Sequence, residues 1–231
     1  MPTSKQHATR RSLFGSTLAL LLLGLMLLPS TAEAQKGAWT IRANGAWVAP
    51  LNADSDQILG NDGAEVQDAF GFAFSASYNV TDNIALTLLG SAPFSHEIDG
   101  SGNLDGITLG DALHLPPTLV AEYRFLPGAS VNPYIGAGVN FTWFLDADSD
   151  GDLTNALNAN STDLELDNSF GLAGVIGFDW YVKENWGVNA SVWFADIDTE
   201  ADVIVNGDRA VEDVEVTIDP IIPQLGFFYQ F

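Results

Sequence analysis

Hydrophobic residues recur at every second position along eight stretches of this chain, about 38–49, 70–80, 83–92, 117–126, 132–145, 169–182, 185–195 and 218–231. A period of two sends successive side chains to opposite faces of a strand, so each stretch predicts a β-strand with one apolar face. In the seventh, Trp186, Val188, Ala190, Val192 and Phe194 share one face, and Gly187, Asn189, Ser191 and Trp193 the other. The second sets Phe70, Phe72, Phe74, Ala76 and Tyr78 against Gly71, Ala73, Ser75 and Ser77. Connections alternate strictly in length. Thr81-Asp82, Leu126 to Val131 and Lys183-Glu184 are short, while 50–69, 93–116, 146–168 and 196–217 are long. Apolar stripes with aromatics at both ends, short turns on one side and long loops on the other describe one fold class. It is all-β: an eight-stranded antiparallel transmembrane β-barrel with short periplasmic turns and four long extracellular loops. The last strand carries Leu225, Phe227, Tyr229 and Phe231 on one face and ends on an aromatic. This is the expected assembly signal, with the barrel-assembly machinery as the partner that reads it.

The first 34 residues read differently. Lys5, Arg10 and Arg11 precede an apolar run from Leu13 to Leu28, and Ala32-Glu33-Ala34 forms a small-x-small cleavage site. That order marks a secretory signal, so residues 1–34 are assigned to a cleaved signal peptide and 35–231 to the barrel. Beyond residue 34 the chain carries five basic residues against 29 acids, a formal charge of −24. Such a surface repels phosphate, which excludes nucleic acid as a partner. The acids are segregated: 25 of the 29 lie in or beside the four long connections. The expected address is the bacterial outer membrane, with its lipid as a partner.

Alternation also assigns the inward side chains. Arg42, Glu122, Arg124 and Asp179 point into the barrel and all fall in its periplasmic half. Two cations and two anions in a narrow lumen of low dielectric are expected to pair as a charged plug. Above them the inward set turns apolar, with Val48, Leu89, Val120, Phe144, Trp193 and Ile222. This predicts a hydrophobic upper lumen, though eight-stranded barrels are commonly filled by their own side chains. Pro93 ends the third segment, and Pro116-Pro117 opens the fourth beside it. Proline has no N–H to donate, so these three either leave a lateral gap in the wall or simply terminate strands.

Other chemistry is thin. Asp146-x-Asp148-x-Asp150-Gly151 matches the first half of an EF-hand loop, but position twelve is Leu157 instead of a bidentate Glu. Asp146, Asp148 and Asp150 are therefore the candidate ligands of a weakly bound Ca²⁺ in an acidic loop, and no other cofactor is expected. His96 and His114 lie in the second long connection, near Ser91, Ser95, Ser101, Asp99 and Asp111. No spacing there orients a base on a nucleophile, so no catalytic residues and no enzyme activity are assigned.

Leu115-Pro116-Pro117-Thr118-Leu119, Tyr123-Arg124-Phe125, Pro133-Tyr134-Ile135-Gly136-Ala137-Gly138-Val139-Asn140 and the terminal Tyr229-Gln230-Phe231 resemble the OmpW/AlkL family. The resemblance implies an outer-membrane barrel that passively admits small hydrophobic molecules, with some members serving as bacteriocin receptors. The expected function is therefore hydrophobic uptake through an apolar upper lumen, with a charged plug below and lateral exit into the membrane. The alternative is a non-transporting structural barrel or a phage or bacteriocin receptor.

Overall fold

A computed structural model describes residues 36–51, 63–102 and 105–231; the candidate signal segment lies outside them. In chain order the strands are β1 (Trp39–Pro50), β2 (Gly63–Val66), β3 (Ala69–Asn79), β4 (Ile84–Ser91) and β5 (Phe94–Ser101). Next come β6 (Thr108–Leu115), β7 (Thr118–Arg124) and β8 (Val131–Ser149), followed by the short helix α1 (Gly151–Ala156). The rest are β9 (Thr162–Leu166), β10 (Ser169–Tyr181), β11 (Trp186–Ala195), β12 (Asp198–Val205), β13 (Asp208–Thr217) and β14 (Pro220–Gln230).

Eight of these close a barrel in the order β1-β3-β4-β7-β8-β10-β11-β14, with β14 returning to β1. Closure runs from Thr40↔Gln230 to Pro50↔Pro220, and the Phe231 N–H donates to the Trp39 carbonyl at 2.8 Å. Each of the eight strands thus has a paired neighbour on both sides, the closed ring that a membrane requires of a sheet. Burial follows the alternation of the sequence. Phe70 is 77% exposed and Leu172 and Phe227 exceed 60%, while inward Thr40, Arg124 and Asp179 are fully buried. The exposed stripes are apolar because their solvent is lipid.

The long connections are where structure and expectation part. They are not irregular loops among the described residues. They build a second storey on the extracellular end. β5 and β6 form a hairpin that carries β2 on one side and joins the upper part of β8 on the other. β9, β12 and β13 form a separate three-stranded sheet. Strand β8 links the storeys: its lower part lies between β7 and β10, and its upper part pairs with β6. A register shift between Leu113 and His114 leaves Leu145 of β8 unpaired in that ladder. One extra residue reverses which face is outward. Ile135, Val139 and Trp143 face out below the bulge, and Asp146 and Asp148 above it.

Candidate functional site

At the periplasmic end the four inward charges meet. Arg42 makes a bidentate pair with Asp179, Nε to Oδ1 at 3.0 Å and Nη2 to Oδ2 at 2.7 Å. Arg124 bridges the two acids, donating to Asp179 Oδ2 and Glu122 Oε2, each at 3.0 Å. Arg42 also lies 3.6 Å from Glu122 Oε2. The net charge of the four is zero, and all are at most 2% exposed. Tyr134 lies between the guanidinium groups, its ring centroid 5.1 Å from Arg42 and 5.6 Å from Arg124. Gly177 opposite has no room for a side chain: a Cβ there would meet the Tyr134 ring at 2.7 Å. Asn189 donates to both Asp179 and Tyr134 at 2.9 Å. Tyr134 and Asn189 are members of this layer that charge counting passed over. Their inward parity was the available signal.

Above this layer apolar side chains pack across the barrel. Val48, Leu89, Val120, Trp193 and Ile222 pack with Ala46, Ala73, Phe94 and Val175 into one buried cluster. The residues expected to line the upper lumen pack against one another across it, as the narrow width of an eight-stranded barrel allows. Phe144 is the exception. It sits higher, packed against the cluster of Val214, Val216 and Ile218.

The open space is in the second storey. A cavity of about 300 Å³ is enclosed by β2, β5, β6, β9, β12, β13 and α1, with Phe144 from β8. Ile98, Leu109, Leu164, Val203 and Val214 typify its wall, which is aliphatic but for Thr199, Phe144, His96 and His114. Its volume falls at the lower end of sites for small organic molecules. An aromatic contact series separates it from the filled barrel. His114 lies 6.0 Å from Phe94, 4.8 Å from His96 and 5.8 Å from Phe144 by ring centroid.

The wall beside that floor is incomplete. The β4–β7 ladder runs from Ile84↔Tyr123 to Leu89↔Thr118, and pairing resumes only at Phe94↔His114 of β5 and β6. Between these rungs lie Gly90 to Pro93 on one side and Leu115, Pro116 and Pro117 on the other. Each side is tied to its outer neighbour instead: the Ala92 N–H donates to Phe72 O, and the Phe141 N–H to Pro117 O, both at 3.0 Å. The buried Phe94 ring lies inside over Gly71 of β3, where a Cβ would meet it at 2.6 Å.

Asp146 and Asp148 lie exposed on β8, and Asp150 caps α1, accepting from the Asp152 N–H at 2.9 Å. Among the described residues, the carboxylates that converge within 4.8 Å are those of Asp196, Asp198 and Asp219. His96 and His114 stack on each other.

A model of the OmpW family matches residues 35–231. Outer membrane protein W of Vibrio cholerae is 37% identical over 219 residues, which cover 91% of this chain and 98% of that protein. The crystal structure of outer membrane protein OprG from Pseudomonas aeruginosa is similar with a TM-score of 0.78 at 33% identity, covering 87% of this chain and 99% of that one. A more distant relative is the dibenzothiophene metabolism operon protein PahQ of Pseudomonas aeruginosa, 26% identical over 91% of this chain and 97% of its own length.

Proposed function

Given that the chain belongs to the OmpW family and resides in the outer membrane as an eight-stranded barrel, we propose that it admits small hydrophobic molecules by passive uptake. The observation that carries this reading is an aliphatic cavity held in the water-facing storey above a filled barrel. A solute leaving water for such a cavity gains about 25 cal/mol for each Å² of apolar surface it hides. Downward passage is closed twice, by packed side chains and by the layer of Arg42, Glu122, Arg124 and Asp179, which acts as the plug. The remaining exit is sideways, past Phe94 and through the interrupted ladder at Pro93, Pro116 and Pro117 into the membrane. The relative named for dibenzothiophene metabolism agrees with an apolar cargo. The C-terminal strand with Leu225, Phe227, Tyr229 and Phe231 is the segment the barrel-assembly machinery reads, so deleting Phe231 lowers the amount of inserted protein.

Uptake of labelled octane by cells tests the route. Ala112→Trp puts a large side chain into the cavity wall, and Pro93→Val with Pro116→Val and Pro117→Val restores backbone donors at the break. Each change lowers octane uptake several-fold while small-ion conductance stays at the wild-type level. Equal loss of both permeabilities would indicate a conventional pore. Unchanged uptake, with phage or bacteriocin sensitivity lost on trimming the upper storey, would put the receptor reading in its place.

A further inference from the structure

Two histidines interrupt the aliphatic lining of the cavity. His96 and His114 stack with ring centroids 4.8 Å apart and planes 14° apart, and both are almost fully buried. The Nδ1 of His96 lies 2.6 Å from the Gln67 carbonyl oxygen. A carbonyl only accepts, so Nδ1 carries the proton and fixes both the tautomer and the ring. His114 is different. It touches Phe94, His96 and Phe144 through ring contacts, and no group among the described residues hydrogen-bonds it. Burial, then the neighbouring His96, push the His114 pKa down to about 3, so its ring is neutral at ordinary pH. A neutral imidazole offers one donor and one acceptor, and here both are unused in the wall of an apolar chamber. Beside it, Nε2 of His96 is buried with no partner among the described residues; unpaired buried polar groups are costly, and a bound molecule with a hydroxyl can partner the rings.

We infer that the cavity takes a neutral aliphatic molecule with a single hydroxyl group, which docks on His114 while the hydrocarbon chain lies among Leu109, Leu164, Val203 and Val214. The assignment rests on reading the cavity as the uptake site. A hydroxyl donates and accepts, so it suits His114 in either tautomer; an alkane leaves the ring unpaired. A carboxylate is disfavoured by the surroundings. The sole basic residue of the four long connections, Arg209, is already held by Glu165 and Asp202, and the rest of that storey is acidic. His96, anchored by Gln67 through Nδ1, holds the face of His114 by stacking and turns an unpartnered Nε2 to the same wall.

Binding of octane, octanol and octanoate to the protein in nanodiscs, corrected for partition into empty nanodiscs near neutral pH, tests this. Wild type binds octanol roughly tenfold more tightly than octane, the upper range for one net hydrogen bond, and binds octanoate more weakly than octane. His114→Phe keeps octane binding and abolishes the preference for octanol. His114→Gln, which retains a donor and an acceptor, keeps part of that preference and is the check on any folding defect of the Phe variant. Equal wild-type affinity for octane and octanol, or a preference that survives His114→Phe, overturns the inference and leaves the uptake reading intact. Binding of neither compound removes both.

Discussion

The barrel and the storey above it obey one sequence rule with opposite outer faces. In the barrel, apolar side chains such as Phe70, Leu172 and Phe227 face out, and the inside holds two arginines, two acids and several amides below a packed apolar cluster. In the extracellular storey the acids face out and the inside is Leu164, Val203, Val214 and their neighbours. Both are two-residue alternations of strands. What differs is the solvent outside, lipid below and water above, and the bulge at Leu145 of β8 is where one arrangement hands over to the other. The comparison teaches where a greasy solute can be held: in the part whose apolar interior leaves a cavity, not the part whose apolar interior is packed.

The largest effect expected from breaking this contrast comes from the barrel's inner charges. Asp179 balances both arginines, so Asp179→Ala leaves excess positive charge with no water to solvate it. A loss of about 3–5 kcal/mol is expected, read as a lower unfolding temperature of the heat-modifiable barrel. Next is the converse change, a charge placed inside the upper storey. Val214→Asp puts a carboxyl into the apolar cluster at a cost on the order of 3 kcal/mol. Limited proteolysis should then cut the β12–β13 region while the barrel stays folded; simultaneous loss of both would show that the storeys are not separate.

Acidification probes the same interior more gently. His114 is held near 3 when folded, against 6.5 when free. The folded value is the lower one, so stability is at its full value above pH 6.5 and falls as the pH drops towards 3. The slope is about 1.4 kcal/mol per unit, or about 2 kcal/mol lost by pH 5. Hydrogen exchange of β5 and β6 should quicken over that window and quicken less in His114→Gln. The smallest effect is expected at the surface. Arg209 ties β13 to Glu165 and Asp202, but it is half exposed. Arg209→Ala should cost less than about 1 kcal/mol, and less still at high salt.

The barrel was legible because lipid rewards an uninterrupted apolar stripe, and eight such stripes with alternating connection lengths leave little choice of topology. The charged layer was legible by parity alone, since Arg42, Glu122, Arg124 and Asp179 all fall on inward positions. The upper storey was not, although it carries the same signal. Asp163-Leu164-Glu165-Leu166-Asp167 alternates perfectly, as do Val214 and Val216 between Asp213, Glu215 and Thr217. Dense acid makes these segments resemble solvated loops, and parity alone draws attention to the inward residues around Val120 and Trp193. The convergence of Asp196, Asp198 and Asp219 joins the start of β12 to the start of β14, a proximity that no local pattern reports. Nor does spacing reveal that His114 stacks on His96.

The location of the bound solute tests the account most directly. In nanodiscs loaded with octane, nuclear Overhauser contacts are expected from octane to the methyl groups of Leu109, Leu164, Val203 and Val214, and none to Val48, Val120 or Ile222. Contacts to Val48, Val120 and Ile222 without the upper set would place the solute in the barrel and contradict the division of the molecule into a filled lower storey and a receiving upper one.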